Sequence, residues 1–219
     1  RFLAVGTRAA TTDWDLRVST TAGTGFPNCI GSTLVNSTYS TVPFVDFVVG
    51  NLGRSTLGLT YYVDARQYTA GATDPAQVLY DASSDLLYAN DVHTTLYSMG
   101  GDRILRAFDV SLKSTETYTI HLSPSNSANL HVLLFRNPGS AAYWVGRSSA
   151  LLDLPAATGT VTFTPPATDT YGAIVVSDDG LPCTFTLSFR SCPTVVALAD
   201  TTASYVSVAG FASFTQATH

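Results

Sequence analysis

The stretch "ETYTIHLS", Glu116 to Ser123, places Tyr118, Ile120 and Leu122 on one face and Thr117, Thr119 and His121 on the other. Strict alternation of this kind is the mark of a half-buried β-strand. "TFTLSF" (184–189) repeats it, with Phe185, Leu187 and Phe189 opposed to Thr184, Thr186 and Ser188. Working outward, strands are predicted at "DLRV" (15–18), "FVDFVV" (44–49), "TYYVDAR" (60–66), "RILRAFDV" (103–110), "LHVLLF" (130–135), "TVTFT" (160–164) and "YGAIVVS" (171–177). Turn clusters such as "GNLG", "RNPGS", "TPPATD" and "SDDGLP" punctuate them. The best helical turn falls in "PAQVLYDASSDLLYA" (75–89). Many short strands with regular turns predict an all-β protein made of antiparallel β-sandwich units of the jelly-roll or immunoglobulin-like kind.

Composition agrees. The 219 residues are 45% hydrophobic and only 12% charged, with a single lysine (Lys113) and a single glutamate (Glu116). Helix surfaces are normally built from Lys, Glu, Gln and Arg, whereas Thr, abundant here, favours strands. Such a chain has too much apolar surface for disorder. The net charge of −5 and scattered arginines give no basic patch for nucleic acid or anionic lipid. No apolar run reaches the length of a membrane span. Three cysteines without a CxxC pair, much Thr, and a start at Arg1 fit a secreted chain freed of a signal peptide, or an excised segment.

An internal repeat organises the chain. Phe2 and Tyr118, Asp13 and Asn129, and Val45 and Val161 are each separated by the same 116 positions (118 − 2, 129 − 13, 161 − 45). "TYYVDAR" matches "TYGAIVV" at a separation of 110 (170 − 60). Two similar units are therefore expected, at 1–90 and 93–192, with a tail at 193–219. On this alignment Asp15 matches His131, and Phe47 matches Phe163.

The second unit reads "RAFDVSL", "TYTIHLS", "NLHVLLF", "VTFTPPATDTYGAIVV" and "CTFTLSF" in order. This run resembles the bacterial pre-peptidase C-terminal domain, a small β-sandwich carried as an accessory module by secreted proteins. The resemblance covers about 100–190, with the first unit as a more diverged copy. Where that family often has D-x-D, this unit has Asn129 and His131, while the first unit keeps Asp13 and Asp15. The resemblance implies a fold; the family's diverse roles fix no function.

The two ends of the chain then explain each other. The second unit begins with "RILRAFDVSLKS" ahead of "TETYTIHL", whereas the first begins directly at "RFLAVGT" and so lacks a leading strand. The C-terminal "SYVSVAGFASFTQATH" has the length and pattern of the missing strand. The chain thus looks like a circularly permuted tandem repeat. A sandwich short of one strand exposes an unpaired edge. The tail either folds back onto its own first unit, or fills the first unit of the next copy in a head-to-tail contact that does not close and so makes a fibre. Tyr205, Val206, Val208, Phe211 and Phe214 are the donor-strand residues, and they argue against a disordered tail.

Catalytic patterns are absent: there is no GxSxG, HExxH, P-loop or GxGxxG. Glu116 stands at a strand start, His121 on a polar face, and His93 and His219 without identifiable partners. Asp13, Asp15, Asp178 and Asp179 offer hard oxygen ligands of the kind calcium takes, but "SDDG" is above all a turn and EF-hand spacing is missing, so no metal or other cofactor is expected. Trp14, Trp144 and the eleven tyrosines are candidates for a sugar-binding face, or for core and edge cover. Asn36, in "NST", is a glycosylation acceptor by sequence. Cys183 and Cys192 flank one extended strand, too far apart for a disulfide unless it bends, which leaves Cys29 as the natural partner of one of them, within or between subunits.

The reading is a secreted, non-enzymatic structural protein, extracellular or on the cell surface. Its partners are copies of itself, with no nucleic acid, membrane span or small-molecule substrate. The alternatives are a monomeric extracellular binding module for carbohydrate or adhesion, and an accessory domain of a secreted hydrolase.

Overall fold

The computed structural model describes residues 1–8, 13–20, 33–37, 45–51, 60–67, 77–83, 85–91, 95–101, 103–139 and 143–191. The tail residues Tyr205, Val206, Val208, Phe211 and Phe214, with Cys29, Cys192, His93 and His219, lie outside them. The described residues form β1 (Phe2–Arg8), β2 (Trp14–Ser19), β3 (Thr33–Ser37), β4 (Asp46–Asn51), β5 (Tyr62–Gln67), β6 (Gln77–Ala82), β7 (Asp85–Leu87) and β8 (Tyr97–Met99). They continue with β9 (Leu105–Leu112), β10 (Tyr118–Pro124), β11 (Leu130–Arg136), β12 (Trp144–Gly146), a 3₁₀ turn (Arg147–Ser149), β13 (Leu152–Pro155), β14 (Thr160–Phe163), β15 (Asp169–Ser177) and β16 (Cys183–Ser191). The protein is all-β, and no α-helix occurs among the described residues.

Four sheets result: A, ordered β12-β4-β1-β6; B, β3-β2-β5; C, β13-β11-β15-β9-β7; and D, β14-β10-β16-β8. Strand pairs are antiparallel, apart from β7 beside β9. The cores give the stacking order. Sheets C and D enclose the largest cluster, around Phe108, Tyr118, Tyr171 and Phe185. A second cluster, with Phe2, Phe47, Phe135 and Ile174, lies between A and C. A third, with Leu3, Val5, Leu16, Val18 and Val48, lies between A and B. The sheets therefore stack B–A–C–D. The inner sheets A and C are covered on both faces, which is why β1 and β4 are buried almost throughout while β10 alternates.

The helical turn expected in 75–89 is not formed among the described residues of that range. Residues Gln77–Ala82 pair with β1, and Asp85–Leu87 pair with β9. The edge of β1 needs main-chain partners, and that tertiary demand overrides a short apolar run whose periodicity is ambiguous. The chain passes from sheet A to sheet C between β6 and β7, so Asp85–Leu87 already belongs to the second sandwich.

The order β3-β2-β5 in sheet B parallels β13-β11-β15 in sheet C, and β4-β1-β6 parallels β14-β10-β16. Along β2 and β5 the registers match too: Asp15 opposes Arg66 as His131 opposes Val176, and Leu16 opposes Ala65 as Val132 opposes Val175. Along β1 and β4 the sequence alignment is corrected. Phe2 opposes Asn51, whereas Tyr118 opposes Phe163, and Phe47 opposes Gly6. Moreover Phe2 and Phe47 face sheet C, while Tyr118 packs into its own sandwich core. Leu3 and Val5 take the corresponding inward positions. A slip of one residue turns every side chain to the other face of a sheet.

Candidate assembly site

The outer edge of β5 is where the two sandwiches differ. In sheet C, β9 lies beyond β15 and sends Phe108, Val110 and Leu112 into the core between C and D. In sheet B, no described strand lies beyond β5. Among the described residues, Leu3, Val5, Leu16, Val18 and Val48 are buried between A and B. Val63 shares its face with Ala65, which packs on the A–B cluster, yet it is 37% exposed.

The facing sheet also exposes apolar side chains. In β6, Tyr80 opposes Val5 and Val78 opposes Thr7, so both point toward sheet B. They are 80% and 53% exposed. The inward-facing residues of β16, Phe185, Leu187 and Phe189, are buried, and Phe185 meets Phe108 of β9 edge to face with ring centroids 6.4 Å apart. Val63 of β5 and Val78 and Tyr80 of β6 are thus exposed apolar side chains on the faces that sheets B and A turn toward each other. At the opposite edge of sheet A, Trp144 of β12 closes the layer by packing against Tyr61 at 5.3 Å, and a Cβ at Gly50 would meet its indole at 3.0 Å. The Tyr61 hydroxyl is buried without a hydrogen bond.

The remaining candidate residues are engaged in structure. The Glu116 carboxylate accepts from Lys113 Nζ at 3.1 Å, which holds its pKa below the usual range. His121 Nδ1 is 2.9 Å from Thr160 Oγ1 across two strands. His131 belongs to a charged cluster that the sequence did not reveal. Its Nδ1 is 2.7 Å from Asp153 Oδ1 and its Nε2 is 3.5 Å from Asp178 Oδ2, while Arg147 Nη1 donates to Asp178 Oδ1 at 3.0 Å. Burial alone would raise the Asp153 carboxyl, but the His131 hydrogen bond and the nearby charges of His131 and Arg147 hold it below its usual value. Arg147 also stands 5.8 Å from the Phe47 ring centroid, so the cluster ties sheet C to sheet A. Asp179 caps a turn, accepting from Asn129 N at 2.6 Å and Leu181 N at 3.0 Å, with Gly180 at φ 63°.

Asp13 and Asp15 are brought together with Asp46, which the sequence reading did not single out, with one carboxylate oxygen of each within 4.8 Å of the others. Three hard oxygens at this spacing suit a divalent cation such as calcium. Burial and then repulsion from Asp13 raise the Asp15 pKa, against the attraction of Arg66, and burial likewise raises Asp13. Cys183 is a buried free thiol. Asn36 is exposed on β3. Trp14 buries its indole nitrogen, and Trp144 packs inward, so neither presents an open platform. A separate groove of about 600 Å³ lies beside β7, lined by Leu86, Tyr88, Leu112, Glu116, Tyr118 and Thr170.

No protein-family model matches the sequence, and no curated protein matches it. Among solved structures, the pre-peptidase C-terminal domain of a collagenase from Bacillus anthracis is similar over 48% of this chain and 92% of that one, at 14% identity and a TM-score of 0.33. It belongs to the family that residues 100–190 resemble. PliG from Aeromonas hydrophila, a periplasmic inhibitor of g-type lysozyme, is similar over 50% of this chain and 98% of that one, at 16% identity and a TM-score of 0.31. A mutant of the Escherichia coli PliG, with 16% identity and a TM-score of 0.27, covers 48% of this chain and 99% of its own.

Proposed function

We propose that the protein is a secreted, non-enzymatic structural subunit that polymerises head-to-tail into an extracellular filament, its C-terminal strand filling the first sandwich of the neighbouring copy. The carrying observation is the unequal pair of sheets. B repeats the order of β13-β11-β15 but has no described counterpart of β9, while the C-terminal sequence supplies an unassigned strand pattern. Residues 1–90 and 93–192 are read as two copies of one unit, the first with no described strand in the place that β9 takes in the second. Donation of a strand satisfies an open edge with main-chain hydrogen bonds and fills side-chain pockets at alternate positions. Because donor and acceptor differ, the contact propagates without closing.

The test is deletion of residues 203–219, followed by sedimentation and electron microscopy. The expected result is a soluble subunit that makes no fibres. Fibres from the truncated protein overturn the reading, as does a full-length protein that stays monomeric with its tail protected from protease. The groove beside β7, with exposed Tyr88 and Leu86, favours a second reading, a monomeric extracellular binding module for carbohydrate or adhesion. Saturable glycan binding by a fibre-free sample would support it.

A further inference from the structure

We propose that the incoming strand lies antiparallel along the outer edge of β5 and over Val78 and Tyr80 of β6, the place that β9 takes beside β15 and over Phe185. The inference rests on the filament reading and specifies its acceptor. Its first support is register. The β2–β5 pairs map onto the β11–β15 pairs, so Val63 stands where Ala173 stands and Tyr61 where Tyr171 stands. On the far side of β15, Phe108 opposes Ala173 and Val110 opposes Tyr171 in antiparallel pairing. The matching positions beyond β5 are the ones a new strand would occupy.

The second support is independent of register. Val78 and Tyr80 belong to the other sheet, yet they are exposed on the face whose counterpart in β16 is buried, with Phe185 of that strand against Phe108 of β9. One inserted strand covers both sheets at once. The third support is the chemistry of the occupant: residues 204–218 carry no Asp, Glu, Lys or Arg, so the segment can cover exposed Val63, Val78 and Tyr80 without burying a charge. The committed occupant is this segment from a second copy of the chain.

The experiment uses full-length polymer. Val63→Cys and, separately, Ala65→Cys are combined with single cysteines at successive positions from 204 to 214, and disulfide-linked peptides are identified by mass spectrometry after mild oxidation. Directly opposed residues in an antiparallel pair lie within disulfide reach. Links are expected between subunits, and moving the acceptor from position 63 to 65 should move the linked tail position two residues toward the N-terminus. In parallel, Tyr80 is expected to react with hydroxyl radicals several-fold more slowly in polymer than in the tail-deleted subunit. Tail-dependent polymer without β5 links and with Tyr80 still reactive overturns the acceptor assignment but leaves the filament reading standing. A linked position that moves toward the C-terminus overturns the antiparallel arrangement. Fibres from the tail-deleted protein overturn the filament reading itself.

Discussion

The ring of Phe2 lies over Gly172, in the space that a Cβ at that glycine would occupy. The contact joins sheet A to sheet C in the middle of the stack, where Phe2 also meets Tyr143 edge to face at 6.0 Å. Gly172→Val is therefore expected to overpack this layer and destabilise the protein by about 1–3 kcal/mol or more. For a chain of this size each kcal/mol lowers Tm by roughly 2–4 °C. A thermal melt unchanged by the substitution would show that the two sheets are not held this close.

The Arg147–Asp178 pair offers a second test. Asp178 is 1% exposed and accepts from Arg147 at 3.0 and 3.3 Å. Arg147→Met leaves that carboxylate buried without its main partner, and breaking such a pair costs about 3–5 kcal/mol. The double variant with Asp178→Leu is expected to recover much of the loss. Equal destabilisation of the single and double variants in urea titrations would refute the coupling.

Asp15 gives the pH dependence. Its folded pKa is raised above the unfolded value, so its contribution favours folding fully only below the unfolded pKa and is lost as pH rises through the folded one. Ionised Asp15 therefore costs stability at neutral pH. In the presence of a chelator, Asp15→Asn is expected to melt higher than the parent at pH 7, with the difference shrinking as pH falls toward 4. A difference that grows on acidification would reverse the sign of this argument.

A synthetic peptide of residues 203–219, added to the truncated subunit, is expected to raise its melting temperature without restoring fibres, since it fills the acceptor and donates nothing onward. Full burial of each large apolar side chain contributes about 1.5–3 kcal/mol, so three or four suffice for a measurable shift against the ordering cost. A peptide that neither binds nor stabilises counts against strand donation.

How much of this was legible in the sequence depended on which faces meet water. β10 and β16 each show a polar and an apolar face, and their alternation could be read directly. β1 and β4 are covered on both sides, so Phe2, Leu3, Ala4 and Val5 are all apolar. Period two then vanishes, which is why Phe2 was set against Tyr118 although Leu3 holds the inward position. β2 and β5 kept their registers because Asp15, Arg17 and Asp64 interrupt the apolar positions. Asp46 could not be joined to Asp13 and Asp15 from the sequence, since sheet packing brings it there. The cluster of His131, Asp153, Asp178 and Arg147 likewise draws its members from separate elements with no shared spacing.

The placement of β12 beside β4 constrains the order in which this chain can fold as it emerges from a ribosome or an export channel. Sheet A takes strands from residues 2–8, 46–51 and 77–82, but its last described member is 144–146. The N-terminal part therefore leaves the exit with one edge of its central sheet unfilled until Trp144 has followed, and sheet C, which covers the opposite face of A, arrives over the same interval. Vectorial synthesis thus favours a single late consolidation of the stack over independent maturation of an N-terminal half.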